Sequence, residues 1–141
     1  MDFNLTEQQL MMQKLFREVA QNEVKENAAD VDENERFPKE SVEVMRQAKM
    51  LGIPYSREYG GAGADYLCYI LAIEELSKTC ATSGVVLSAH TSLGTWPIAQ
   101  FGTEEQKQRF LTDLCTGKKL AAFGLTEPNA GTDLSLIHIS E

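Results

Sequence analysis

Eleven consecutive residues, Phe123-Gly124-Leu125-Thr126-Glu127-Pro128-Asn129-Ala130-Gly131-Thr132-Asp133, combine the features that loop chemistry requires. A short apolar run delivers Thr126 and Glu127 to a turn in which Pro128 fixes one backbone angle and Gly131 frees another. Turns of this kind aim several N–H groups in one direction and form a nest for anions. Thr126 and Thr132 would add hydroxyl donors at its rims. On composition alone this is a phosphate-cradling turn of low specificity, because many strand-to-loop junctions read alike.

Other residues invite chemistry and fall away. Gly61-Ala62-Gly63-Ala64-Asp65-Tyr66 lacks the third glycine of a dinucleotide fingerprint, and no buried strand precedes it. It reads as a turn between helices, and no Walker pattern occurs. No Gly-x-Ser-x-Gly elbow is present, and His90 stands in an apolar helix among Ser88, Thr91 and Ser92 as a hydrogen-bonded core or wall residue. Glu74 and Glu75 are adjacent on a helix and diverge by about 100°. They cannot easily share a site, so one is expected at the surface and the other against a neighbouring helix. Three widely spaced cysteines (Cys68, Cys80, Cys115) and two histidines (His90, His138) make no metal site.

The elements that must position the Phe123–Asp133 run are helices. Thr6 and Gln9 form a capping box, with Leu5 able to staple onto Leu10. Met12, Leu15, Phe16, Val19 and Val24 then line a face for burial. Asn27 to Glu35 is acidic and is expected to fray. A second helix opens at Phe37-Pro38, with Pro38 suited to the first helical position. It carries Val42, Met45, Ala48 and Leu51 and is expected to close at Gly52. Asp65 caps a third helix, and Thr82 or Ser83 starts a fourth, apolar on most sides, that ends near Gly94. Trp96-Pro97-Ile98 begins a short helix stopped by Gly102. Thr103 and Gln106 form a second capping box for a helix closed by Gly117. Leu120 to Leu125 reads as a strand, so a β unit is expected to begin there without partner strands. The predicted fold is mainly α: a bundle of about six helices followed by the first strand of a truncated β domain.

Composition agrees with such a fold and narrows the function. Of 141 residues, 43% are hydrophobic and 24% charged, which is globular. The net charge of −8 and a single basic doublet, Lys118-Lys119, leave no counterion-releasing surface for nucleic acid. The longest uncharged stretch, Thr79 to Phe101, is rich in Ser, Thr, Gly and Pro and reads as buried helix, not a membrane span. The amino terminus lacks the pattern of a signal or transit peptide. A soluble, cytoplasmic protein with reduced thiols is expected.

The run from Gly124 to Asp133 resembles the short signature of the acyl-CoA dehydrogenase family. That signature is a small residue, an aliphatic, Ser or Thr, Glu, two variable positions, a small residue, Gly, Ser or Thr, and Asp. Gly124, Leu125, Thr126, Glu127, Ala130, Gly131, Thr132 and Asp133 fit each defined place. Tyr59-Gly60-Gly61-Ala62-Gly63, the Glu74-Glu75 pair and the run Pro97 to Lys107 resemble further landmarks in the family's order, so the likeness spans Leu5 to Asp133. Its wording is most similar to the short-chain, butyryl-CoA type. The resemblance implies an α-helical amino-terminal domain (1–118) and the start of a middle β domain (119–133), with FAD and an acyl-CoA enclosed between domains. It implies conversion of the acyl-CoA to the trans-2-enoyl-CoA by removal of the α-proton and transfer of the β-hydride to flavin N5. It implies that Phe123, Gly124, Leu125, Thr126, Glu127, Pro128, Asn129, Ala130, Gly131 and Thr132 follow FAD from the ring toward the pyrophosphate. Thr126 would hydrogen-bond the flavin near its reactive edge, and Thr132 would also approach the CoA portion of the substrate. The helix from Thr82 to Leu93 would help wall the acyl pocket. For the parent protein it implies electron-transfer flavoprotein as partner and a homotetramer.

Two departures qualify the resemblance. The signature calls for a small residue at position 136, and Leu136 is not small. Leu134 to Glu141 resembles translated sequencing-adaptor readthrough and is expected to be a non-native tail (134–141), in which His138 has no role. The family's catalytic base matches no acidic residue of this chain and is expected in a carboxyl-terminal domain, so no catalytic residue is assigned here. The chain alone is expected to be inactive as a dehydrogenase. The alternative is a non-catalytic helical interaction module derived from the same family.

Overall fold

The computed structural model describes residues 4–137. Among them are seven α-helices, which join end to end into five rods. The first rod is α1 (Glu7–Val19), a π-helical turn (Ala20–Val24) and α2 (Lys25–Glu33). Its start is the expected capping box: the Thr6 hydroxyl accepts from the Gln9 N–H at 3.2 Å, and the Gln9 side chain accepts from the Thr6 N–H at 2.9 Å. The segment expected to fray from Asn27 is instead helical to Glu33. Val24 and Val31 bury beneath it, and Arg36 reaches back to Asp30 while also pairing with Glu40. Burial and that clamp outweigh the mutual repulsion of the acidic residues.

The second rod, α3 (Lys39–Gln47), follows Pro38, which takes the cap position and not the first helical one. It also ends earlier than Gly52. Lys49 adopts the left-handed conformation that closes it, with φ 56°. Gly52 serves packing instead. A Cβ there would lie 2.7 Å from the Cys115 carbonyl oxygen and 3.0 Å from the Gly61 Cα, so glycine lets three loop backbones meet.

Asp65 caps α4 (Tyr66–Ser77), accepting from the Cys68 N–H at 2.8 Å. The fourth rod starts at α5 (Ala81–Ser88), capped at Cys80 and so slightly before Thr82. It does not stop at Gly94 but widens into a π-helical turn (Ala89–Thr95) and runs on as α6 (Trp96–Phe101) to Gly102. The last rod, α7 (Glu104–Cys115), has the expected capping box from Thr103 and Gln106 and is followed by Gly117 at φ 74°. The six expected helices thus become five rods, because the fourth and fifth run together through Gly94, while the first extends through the acidic stretch to Glu33.

The core forms where α1 packs on α4 and α4 on α5. Phe16, Met45, Leu51, Leu76 and Leu87 are nearly solvent-free there. A Cβ on Gly84 would sit 2.0 Å from the Ser77 Oγ, so the α4 and α5 backbones approach through a glycine. The Tyr55 hydroxyl donates to the Thr91 carbonyl at 2.5 Å and ties the loop before α4 to the π-helical turn. Beyond Gly117 the chain has no helix until a single 3-10 turn at Leu134–Leu136. The run Leu120 to Leu125 finds no ladder partner among the described residues and carries no strand; an unpaired strand lacks the hydrogen bonds that define it.

Candidate functional site

The Phe123–Asp133 run is held at its root by α7 and the fourth rod. Lys118 and Lys119 both reach the Asp113 carboxylate, at 3.2 and 2.9 Å, while remaining solvated. The Lys119 N–H donates to the Asp113 carbonyl at 3.0 Å, which turns the chain away from α7. Two residues later the Ala121 N–H donates to Nδ1 of His90 at 3.0 Å. His90 is 1% exposed, and burial holds its pKa below the ordinary value, leaving a neutral ring able to accept. The Leu51 and Leu114 backbones act against that shift without reversing it, and Nε2 has no hydrogen-bond partner among the described residues. His90 is therefore the core histidine that the sequence indicates.

Between the fourth rod and this segment lies an apolar cleft of about 300 Å³. Val86, His90 and Leu93 form one wall, Leu120 and Phe123 the other, and Phe37 closes an end. From Phe123 to Thr126 the chain is exposed. It then makes a tight turn: the Glu127 N–H donates to the Ala130 carbonyl at 2.9 Å and the Ala130 N–H to the Glu127 carbonyl at 3.1 Å, with Pro128 and Asn129 at the tip. Two of the amides expected to face an anion are thereby spent on each other. The freedom that Gly131 offers is not used for a left-handed turn: among the described residues the glycines with positive φ are Gly60, Gly63 and Gly117. Ala130 is buried, and Gly131, Thr132 and Asp133 return to solvent.

The glycines here do something else. At Gly124 and at Gly131 an added Cβ would meet nothing within 4 Å. The fold itself does not call for glycine at either position, and both open onto free space. The segment thus offers one wall of a site, with an exposed Phe123 ring, the Thr126 and Thr132 hydroxyls and two side-chain-free stretches. Among the described residues no three His, Cys, Asp or Glu side chains cluster.

The other residues with chemical potential serve structure. The amides of Gly61, Ala62 and Gly63 donate to the carbonyls of Ser56, Gly52 and Tyr55, at 3.0, 2.9 and 2.8 Å, so none is available to a phosphate. Glu74 pairs at the surface with Lys78 at 2.8 Å. Glu75 turns inward and takes two hydrogen bonds from Arg17 of α1, at 3.0 and 2.9 Å. All three cysteines are buried and unbridged, and burial pushes Cys68 and Cys115 up to about 11. No helix among the described residues is long and apolar enough to cross a membrane. His138 lies outside the described residues.

The geometry has close counterparts. Residues 6–118 match the family model for the acyl-CoA dehydrogenase N-terminal domain. The short-chain-specific acyl-CoA dehydrogenase of Clostridium acetobutylicum is 61% identical over 94% of this chain, which spans 35% of that protein. The butyryl-CoA dehydrogenase structure from Megasphaera elsdenii superposes with a TM-score of 0.90 at 44% identity, covering 96% of this chain and 36% of that one. An acyl-CoA dehydrogenase from Bacillus anthracis, solved in complex with FAD, gives 0.84 at 34% identity over 94% of this chain and 22% of that one. With residues 6–118 matched by the family model and close relatives along almost its whole length, this chain belongs to the acyl-CoA dehydrogenase family and carries that family's N-terminal helical domain.

Proposed function

We propose that this chain forms the helical domain (1–118) and the first flavin-contacting segment (119–133) of an FAD-dependent acyl-CoA dehydrogenase acting on a short-chain acyl-CoA. The observation that carries this reading is the run Phe123–Thr132, exposed but for Glu127 and Ala130, open at Gly124 and Gly131 and rooted beside an apolar cleft. FAD, when bound, supplies the hydride acceptor for oxidation of the acyl-CoA to its trans-2-enoyl product. This chain contributes binding and orientation. Phe123, Gly124 and Leu125 offer an apolar, low-relief wall for the ring, and Thr126 a hydroxyl donor toward the charge that the flavin gains. Glu127 to Ala130 form the turn that leads Gly131 and Thr132 toward the pyrophosphate, and Thr132 also serves the CoA portion. The cleft between Val86, Leu93 and Phe123 excludes water from the acyl chain. The α-proton is removed by a base from a region outside this chain, which alone is inactive. Assembly as a homotetramer and electron transfer to electron-transfer flavoprotein follow for the whole enzyme, in a cytoplasm that keeps the buried thiols reduced. Residues 134–141 take no part in this site.

A chimera tests this. Residues 4–133 would replace the matching stretch of the Clostridium acetobutylicum enzyme. The expected product is a yellow protein that oxidises butyryl-CoA and loses flavin on Thr126→Ala. A folded but colourless chimera would overturn the proposal.

A further inference from the structure

Two residues of the π-helical turn Ala89–Thr95 converge on a single point of the segment that follows α7. His90 presents Nδ1 to the Ala121 N–H at 3.0 Å. Four residues on, a Cβ at Gly94 would lie 2.2 Å from the Ala121 Cβ and 3.0 Å from its carbonyl carbon. Those atoms belong to backbone and a methyl that cannot swing aside, so any side chain at 94 would push Ala121 out. One residue supplies an acceptor and the other supplies room.

The turn bearing them is rigid. The Thr95 hydroxyl donates to the His90 carbonyl at 2.7 Å, and Tyr55 holds the Thr91 carbonyl from the opposite side. His90, Thr91 and Thr95 are essentially without solvent. Ala121 stands two residues before Phe123, a reach of about 7 Å at most. Any displacement at Ala121 therefore passes directly into the exposed run. We propose that His90 and Gly94 are positioning residues that seat Ala121 and so set the course of Phe123–Thr132 against the helical domain. Their consequence for cofactor binding rests on the flavin reading above; the seat itself does not.

Amide hydrogen exchange on the 141-residue chain tests the seat. The Ala121 amide should be protected. His90→Leu removes the acceptor and should speed its exchange roughly fivefold, the effect of one net hydrogen bond. His90→Asn places an amide oxygen near the former Nδ1 and should retain most of the protection, which a purely space-filling role would not explain. Gly94→Ala keeps the acceptor, evicts Ala121 and should match His90→Leu. Ala121→Pro removes the donor from the outer side without touching the core, and should speed exchange of the Lys119 amide, bonded to the Asp113 carbonyl, while those of α1 and α4 stay protected. An Ala121 amide that is unprotected from the start, or equally protected in His90→Leu, would overturn the seat. So would equal loss in His90→Asn and His90→Leu. In the chimera, His90→Leu should weaken flavin retention about fivefold and His90→Asn should not. A parent chimera that holds no flavin sinks the flavin reading and leaves exchange to decide the seat; one that holds it equally with His90→Leu sinks the positioning role.

Discussion

Glu75 has almost no solvent contact, and a carboxylate so placed must be answered by charge. Arg17 answers it with two hydrogen bonds and Lys78 adds a third at 3.1 Å. Arg17→Met leaves that carboxylate buried with Lys78 alone, whereas Glu75→Gln leaves an exposed guanidinium that water can solvate. Arg17→Met should therefore lower the urea midpoint more than Glu75→Gln does. Arg17 also holds the Glu75 carboxyl below its ordinary value of 4.5. As pH falls the unfolded chain takes up this proton first, so the stabilisation is complete above about 4.5 and is lost progressively below it. Glu75→Gln should flatten the acid limb of the stability profile, checked by urea titrations at a series of pH values. Glycines divide in the same way. Gly61→Ala would set a Cβ 2.2 Å from the Tyr55 carbonyl oxygen and should cost roughly 1–3 kcal/mol. Gly124→Ala meets nothing within 4 Å and should leave the melting temperature unchanged, while reducing flavin retention in the chimera.

Local rules made the helix ends readable. Thr6 with Gln9, Asp65, Thr103 with Gln106, and Gly117 all cap as their types indicate, because each acts on neighbours three or four residues away. Thr103→Ala should cost about 1 kcal/mol in thermal unfolding. What the sequence did not disclose depends on distant partners. The acidic stretch before Asn34 is helical because Val31 is buried, and Gly94 is there to make room for Ala121 and not to end the helix. Arg17 and Glu75 meet across 58 positions, which no local spacing signals. The signature run was legible as a motif, yet the pairing of Glu127 with Ala130 that closes its turn was not. Deleting residues 134–141 should leave the helical far-UV signal and melting temperature unchanged, since the α-helices and core of the described residues lie upstream of this segment.

At the scale of the whole molecule, burial is incomplete. The packed helices α1 and α4 still expose Leu10, Met11, Leu15, Leu67 and Ile70, and Phe101 is 74% exposed. Such surface is unusual for a small monomer. Sedimentation of the isolated chain should show association that rises with concentration and with salt, since salt screens the repulsion of a net charge of −8. The same incompleteness governs chemistry. One wall cannot enclose a cofactor, so the isolated chain should show negligible dehydrogenase activity and bind FAD weakly. A purified sample with a stoichiometric flavin spectrum would contradict this.

The widened turn Ala89–Thr95 makes chain length itself a carrier of information. An α-helix advances about 100° per residue, and a π-helical turn absorbs one residue more. Removing a single residue there would restore the regular pitch and leave α6 on nearly its present face, but would shift His90 and Gly94 relative to each other and so break their joint hold on Ala121. Ser92→Ala should therefore be nearly silent, and deletion of Ser92 should keep the helical far-UV signal while the Ala121 amide loses its protection from exchange. In this stretch the protein tolerates a change of letter and not a change of count.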